Sequence, residues 1–326
     1  MWIDRRRQIL ILLAATGSAH LTRALAQSWP SRTIRIVVPF PAGGSADLSA
    51  RLLAEHLKVE LGQSVMVENK VGAGGNLAAA EAARADPDGY TLFIGTNGTQ
   101  TINRSLYRTL PYDPAADFAT IGMMWQAPHV LVVNPSLPVH SLDTFVAYAR
   151  VNSGKLSYGS SGIGSSTHLF GELFKTSTGI EIAHVPYRGQ GPALNDLVGG
   201  QIQVMFPIVP DVISHIRSGS LRALALASPE PSEVLPGLPL MPQLGYPDLV
   251  ASAWTALYVP AKTPLEVIAR LRAEFSELLT SPGFITRMKQ VGIEIRSLRS
   301  DEFAAFTREE RARWAKTIEM LKLRIE

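Results

Sequence analysis

Strand-like and helix-like segments alternate along most of the chain, and this alternation constrains the fold more than any other feature. The β-branched run Thr33–Phe40 is bounded by Pro and Gly, whereas Asp47–Leu61 repeats leucine at helical spacing and stops at Gly62. The same order begins again with the apolar run His129–Asn134. Strands that alternate with helices predict an α/β fold whose sheets are mostly parallel.

Two such blocks predict two lobes, and 326 residues are enough to give each lobe its own core. The first block has few strands, so we expect the C-terminal segment to return to it. The predicted division is residues 27–127 plus 253–326 for lobe 1 and residues 128–252 for lobe 2. Two hinge crossings, near Ala127 and Trp254, would join the lobes, and the cleft between them is the expected ligand site.

Two segments outside this alternation carry predictions of their own. The stretch Pro229–Pro247 is long and rich in proline, which is typical of a surface loop. The C-terminal helix predicted over Asp301–Arg324 carries an apolar stripe that includes Phe303 and Trp314. A stripe of this kind indicates a helix that docks onto the core.

The N-terminus has the pattern of a secretory signal peptide. Arg5, Arg6 and Arg7 precede the short apolar run Ile9–Ala15, and the small residues Ala24–Ala26 offer a cleavage site. The apolar run is much shorter than the roughly 20 residues of a membrane-spanning helix. We therefore expect residues 1–26 to direct export to the periplasm, by either the Sec or the twin-arginine route.

Charge and composition narrow the chemistry of the mature chain. Residues 1–26 hold four arginines and one aspartate, a net charge of +3 that equals the net charge of the whole chain. The remaining residues are formally neutral, which argues against nucleic acid as a partner. The chain has no cysteine, and its histidines lack zinc-site spacing. We expect no metal and no cofactor.

Glycine-rich junctions between predicted strands and helices are the first candidates for ligand contacts. Phe40–Asp47 follows the first strand, where Gly43 and Gly44 would let backbone N–H groups approach an anion. Asp47 could contribute to this site or only stabilise the helix end. The segment Val71–Asn76 lacks G-x-G-x-x-G spacing, so it is a tight loop and not a dinucleotide site.

The segment Ser157–His168 is the most informative junction. It offers several hydroxyl groups and flexible backbone N–H groups at one helix N-terminus, and such convergent donors suit a carboxylate. It lacks the P-loop lysine and the G-x-S-x-G elbow, so it predicts anion binding without chemistry; a plain helix cap is the alternative. In a third junction, Pro186–Ala193, Arg188 could meet the anion or lie in solvent.

Several of these motifs, in this order, resemble the Bug family, the TctC-type receptors of tripartite tricarboxylate transporters. They are Phe40–Asp47, Val67–Lys70, Gly72–Asn76, Pro87–Tyr90, Leu156–His168 and His184–Gly189. The resemblance implies a type II periplasmic binding protein that closes on a carboxylate. It also implies that the loop Ser160–His168 holds one carboxylate, that waters link the ligand to Phe40–Asp47, and that Thr96–Thr99 lines the cleft.

Together the motifs and the resemblance predict one set of ligand-binding residues. They are Phe40, Gly43, Gly44, Asp47, Thr96, Asn97, Ser160, Gly164, Ser165, Ser166, His168, Arg188 and Gly189. One departure concerns the segment after Phe206, where the family commonly has Asp or Asn and this chain has Pro207. Without a polar partner at that position, di- or tricarboxylates and aromatic acids are favoured over amino acids as ligands.

Three functions remain open at this point. The leading one is a monomeric, non-enzymatic receptor that delivers its carboxylate to membrane transporter subunits. A second is a ligand-loaded receptor that contacts a signalling membrane protein. A third is an exported hydrolase that uses Ser165 or Ser166 with His168, although nucleophile, base and orienting acid are not recognisable together.

Overall fold

The structure is a computed structural model that describes residues 29–295, 298 and 300–325. The predicted signal peptide, residues 1–26, lies outside the described residues. The strands are β1 (Ile34–Val38), β2 (Val65–Asn69), β3 (Thr91–Thr96), β4 (Phe118–Pro128), β5 (Val130–Val133), β6 (Ser157–Ser160), β7 (Ala183–Pro186), β8 (Val204–Met205), β9 (Arg222–Leu226) and β10 (Ser252–Pro260). The helices are α1 (Ser45–Leu61), α2 (Asn76–Ala83), α3 (Asn103–Leu106), α4 (Leu142–Val151), α5 (Ser166–Thr178), α6 (Gln190–Val198), α7 (Val209–Arg217), α8 (Leu265–Thr280), α9 (Pro282–Gln290) and α10 (Ser300–Met320).

These elements form two lobes, each built on a five-stranded sheet. The sheet of the first lobe has the order β2-β1-β3-β10-β4, and that of the second has the order β7-β6-β8-β5-β9. In each sheet four strands run in one direction and one is reversed, namely β10 in the first and β5 in the second. Each reversed strand is the one that enters from the other lobe. The predicted α/β, two-lobed fold with mostly parallel strand directions is confirmed.

The two connections between the lobes lie side by side and bond to each other. The backbone N–H of His129 donates to Ala251 O at 3.0 Å, and the N–H of Ala251 donates to Ala227 O at 3.0 Å. The N–H of Ala227 donates in turn to His129 O at 2.8 Å. This pairing satisfies the buried backbone at the crossing and gives the two lobes a shared pivot.

The prediction of a surface loop over Pro229–Pro247 is wrong in its central part. Leu240 pairs with Leu226 beside β9, and Leu240 and Met241 are almost completely buried in the core of the second lobe. Proline has no backbone N–H, but its carbonyl can still accept a hydrogen bond from a strand. Here Pro239 O accepts from the N–H of Leu226 at 2.8 Å and holds the segment against β9. The apolar side chains that follow can then pack.

The C-terminal helix docks on the core as its stripe predicts. Phe303, Trp314 and Ile318 of α10 are buried, and Phe303 meets Trp254 edge to face at 5.3 Å. Trp314 shares a cluster with Leu169 of α5, so α10 also contacts the second lobe. Across the described part of the chain, no helix has the length and apolar character to cross a bilayer.

Candidate binding site

A cavity of about 520 Å³ lies between the two lobes. Seven of the predicted site residues line it, and both lobes contribute: Phe40, Gly43, Gly44, Thr96, Asn97, Ser165 and Ser166. Contacts between the lobes close around it. At two of these contacts glycine leaves no room for a side chain. A Cβ atom built on Gly189 would lie only 2.8 Å from Pro41 Cγ, and one built on Gly164 would lie only 2.9 Å from Leu106 Cδ2. Both glycines have positive φ values and lie outside the lining, so they allow the lobes to approach each other.

The N-terminus of α5 presents free donors to this cavity. Ser165 caps the helix, because its Oγ accepts from the N–H of His168 at 3.3 Å and donates to Gly162 O at 2.6 Å. The N–H groups of Ser166 and Thr167, in the first turn, have no acceptor within the helix. The hydroxyl of Ser166 has no partner among the described residues. α5 carries no acidic residue in its first turn, so this end remains positive.

The hydroxyl groups next to Ser166, which also line the cavity, bond to one another. Thr167 Oγ1 lies 2.9 Å from Ser165 Oγ and 3.1 Å from Ser161 Oγ, and it accepts from the N–H of Ser161 at 3.0 Å. Ser160 is completely buried and does not reach the cavity; its Oγ lies 2.7 Å from His184 Nε2. This cluster fixes the loop in the shape that leaves the first turn of α5 open.

His168 stands behind the loop and does not line the cavity. Its Nδ1 accepts from the N–H of Gly164 at 3.3 Å, and its ring stacks on that of His184 at 4.3 Å. Burial lowers the pKa of His168, and burial together with the nearby His168 lowers the pKa of His184 to about 4. Both rings are therefore neutral supports of the loop at neutral pH.

Ser165 and Ser166, the serines that the hydrolase alternative names, form no hydrogen bond with His168 through its ring. Ser165 Oγ bonds to Gly162 O and the Nδ1 of His168 is taken by the N–H of Gly164, so neither side chain activates the other. The Ser160–His184 contact is a Ser–His pair, but Ser160 is 0% exposed and no substrate reaches it.

The N-terminus of α1 faces the same cavity, and two N–H groups beside it already donate to carboxylates of the protein. The N–H of Gly43 donates to Asp47 Oδ2 at 2.9 Å, and the N–H of Ser45 donates to Asp211 Oδ1 at 3.1 Å. Asp47 is 2% exposed and also accepts from Arg51 at 2.8 and 3.0 Å and from Asn69 at 2.9 Å. Burial alone would raise the pKa of Asp47, but these hydrogen bonds outweigh it and hold the pKa below its usual range.

These contacts favour the structural role of Asp47 over a ligand contact. It does not line the cavity, and its carboxylate ties α1 to β2. Arg188 also lies outside the lining and is exposed to solvent. Thr96 and Asn97 do line the cavity, where Asn97 Nδ2 donates to Ser252 O at 3.2 Å.

Sequence reasoning missed a set of lining residues that come from distant segments. Three residues of the lining each carry a buried side-chain group that has no hydrogen-bond partner among the described residues: Gln190 (Nε2), Trp254 (Nε1) and Thr255 (Oγ1). A buried polar group without a partner costs free energy, so these groups suit a ligand or water. Pro207 is buried outside the lining, whereas Asp211 on the next helix lines the cavity. The preference for di- or tricarboxylates and aromatic acids over amino acids stays a prediction.

No group of three His, Asp or Glu residues within the described ranges is arranged to hold a metal ion. The only charged side chains that line the cavity, within the part of the chain that the structure describes, are Asp211 and Arg217. The cavity is otherwise neutral, with polar donors at the α5 end and apolar side chains over much of the remaining wall.

Comparison with known proteins gives one consistent result. The sequence profile of the family "Tripartite tricarboxylate transporter family receptor" matches residues 49–323. Protein BugT of Bordetella pertussis is 38% identical over 306 residues, which cover 94% of this chain and 93% of that protein.

Two solved structures share the fold across nearly their whole length. An R. palustris protein solved with adipate is 36% identical, with a TM-score of 0.87 over 91% of this chain and 99% of that one. MatC from Rhodopseudomonas palustris, solved with bound malate, is 32% identical, with a TM-score of 0.84 over 89% of this chain and 100% of that one.

Proposed function

Because the chain belongs to the family of tripartite tricarboxylate transporter receptors, we propose that it is a periplasmic receptor for a small carboxylate. One carboxylate group binds at the N-terminus of α5, and the rest of the ligand lies in the cavity between the lobes. The observation that carries this proposal is the open first turn of α5, with its unpaired N–H groups and the free hydroxyl of Ser166.

The ligands of two similar proteins support the same chemistry. Adipate and malate are both carboxylates, and both proteins share the two-lobed fold with this chain. The unpartnered groups of Gln190, Trp254 and Thr255 would pair with further polar atoms of the ligand. Of the residues predicted from the sequence, we propose direct contacts for those that line the cavity and supporting roles for Asp47, Ser160, Gly164, His168 and Gly189.

The proposed mechanism is closure of two lobes on the ligand. We propose that lobe 1 comprises residues 27–127 and 253–326, that lobe 2 comprises residues 128–252, and that the paired backbone at His129, Ala227 and Ala251 is the hinge. Closure buries the carboxylate and fixes the lobe arrangement that membrane transporter subunits recognise. Residues 1–26 would direct export, and the mature receptor would act as a monomer.

The binding step is tested by isothermal titration and thermal shift of the mature protein against a panel of carboxylates. A ligand at 100 times its Kd should stabilise the protein by about 2.7 kcal/mol. Ser166→Ala should weaken binding about tenfold without a change in melting temperature. Ser276→Ala, on the exposed face of α8, is the matched control and should leave affinity unchanged. If no carboxylate binds, or if Ser166→Ala leaves affinity unchanged, the proposed site is wrong.

The transport step is tested separately in the cell. Deletion of the gene should abolish uptake of the ligand identified in vitro, and a plasmid copy should restore it. Unchanged uptake together with lost induction of genes by that ligand would contradict transport and support the signalling alternative.

A further inference from the structure

The two helix N-termini that face the cavity differ in what occupies them. At α5 the N–H groups of Ser166 and Thr167 are open, whereas beside α1 the N–H groups of Gly43 and Ser45 already donate to the carboxylates of Asp47 and Asp211. A helix N-terminus attracts an anion through its free N–H groups and its dipole. At α1 two carboxylates of the protein itself already lie against the positive end of the helix dipole.

Asp211 reaches this position from the other lobe. It lies in the first turn of α7, in the second lobe, and its carboxylate crosses the cleft to the N–H of Ser45 in the first lobe. No cation pairs with it within the described residues. Burial raises the pKa of Asp211 and the hydrogen bonds from Ser45 oppose this, yet an unpaired carboxyl group still faces the cavity.

The wall beside Asp211 is mostly apolar. The other charged lining residue, Arg217, lies at the C-terminal end of α7 and is exposed. The walls nearest in sequence to Asp211 are apolar, since Ile208 and Ile213 flank it on the lining. Trp125 and Ile293 extend this apolar wall. A carboxylate placed here would meet the carboxyl group of Asp211 and hydrocarbon.

We propose that Asp211 is a specificity-determining residue that restricts this receptor to ligands with one carboxylate. The carboxylate binds at α5, and the remainder, which carries no second carboxylate, lies against Asp211 and the apolar wall. This inference rests on the proposed function and deepens it. It separates the chain from the similar R. palustris protein, whose ligand, adipate, has a carboxylate at each end.

The test compares matched ligands that differ only at the distal group: hexanoate with adipate, butyrate with succinate, and benzoate with terephthalate. Isothermal titration should show that wild-type protein binds the monocarboxylate of its best pair at least tenfold more tightly. Asp211→Asn keeps an acceptor for the N–H of Ser45 and removes the charge, so it should improve dicarboxylate binding at least tenfold and change monocarboxylate binding less than about threefold. Asp248→Asn, an exposed position in the second lobe, is the matched control.

Two results would overturn the inference while the receptor function stands. One is that the wild-type protein binds a dicarboxylate more tightly than its matched monocarboxylate, while Ser166→Ala still weakens binding of that dicarboxylate. The other is that Asp211→Asn, shown by circular dichroism to be folded, has the same ratio of monocarboxylate to dicarboxylate affinity as the wild-type protein. Absence of binding by every ligand in the panel would instead overturn the proposed function, and this inference with it.

Discussion

The N-termini of α1 and α5 are similar in sequence and opposite in state. Each follows a strand, each is approached through glycine and serine, and each faces the same cavity. The α1 end is neutralised by Asp47 and Asp211, whereas the α5 end is capped by the neutral Ser165 and left open. The comparison teaches that a glycine-rich strand-to-helix loop is an anion site only when the fold leaves its donors free.

The largest expected effect is the different response of the two ends to acid. Burial lowers the pKa of His129 and of His184 from 6.5 to about 4 in the folded protein. Between pH 6.5 and pH 4 these histidines therefore take up protons in the unfolded state but not in the folded state. Their contribution to stability is fully present above pH 6.5 and is lost as the pH falls to about 4. The loss is on the order of 3 kcal/mol for the completely buried His129 and is smaller for His184, which is partly exposed.

The α1 end should resist this change. The pKa of Asp47 is held below its usual range, so its contribution is present above the unfolded value and is lost only as the pH falls through the lowered value. Urea unfolding between pH 7 and pH 4 should show a falling free energy of unfolding, and His184→Gln should flatten part of that fall. A free energy that is constant over this range would contradict the account of the buried histidines.

The next effect comes from making the α5 end resemble the α1 end. Ser166→Asp places a carboxylate in the first turn of α5, where it should stabilise the helix by about 0.3–1 kcal/mol. The same charge should repel the ligand and weaken binding a hundredfold or more. Opposite changes in melting temperature and affinity, measured by calorimetry and titration, would confirm that the open end is the binding site. Unaltered affinity would show that the carboxylate binds elsewhere.

Removing the carboxylate from the α1 end should act mainly on stability. Asp47→Asn loses the charge-assisted bonds to Arg51 and to the N–H of Gly43, and we expect a loss of about 2 kcal/mol in the free energy of unfolding. Ligand affinity should change less than about threefold, since Asp47 lies outside the lining. A loss of binding with unchanged stability would place Asp47 in the ligand site after all.

The smallest effect separates the two serines of the α5 end. Ser165→Ala removes the helix cap and should cost about 1 kcal/mol of stability, whereas Ser166→Ala should cost affinity alone. A thermal melt and a titration of each variant are enough. Equal loss of stability in both variants would mean that Ser166 also has a structural partner.

The extent of sequence-based prediction differs between the fold and the site. Periodicity and Gly/Pro boundaries predicted both lobes and most elements, because local spacing determines which face each segment buries. The open loop at α5 was also predictable, since Ser160–Ser166 is continuous in sequence. The proline-rich pattern around Leu240 and Met241 predicts a surface loop, whereas the second lobe buries these two apolar side chains.

Asp211 could not be predicted as part of the site. It is 166 residues from Ser45, and nothing beside it in the sequence shows that its carboxylate crosses the cleft. Asp47 carried a signal that was not used: Arg51, four residues later on the same helix face, is the spacing of an ion pair. Contacts between lobes depend on closure, which local pattern does not encode.

A crystal structure of the mature protein with a bound monocarboxylate tests the central claim most directly. The claim predicts a carboxylate oxygen within about 3 Å of the backbone N and Oγ of Ser166, while Asp211 still accepts from the N–H of Ser45. A ligand carboxylate at Gly43–Ser45, with Asp211 displaced, would contradict it.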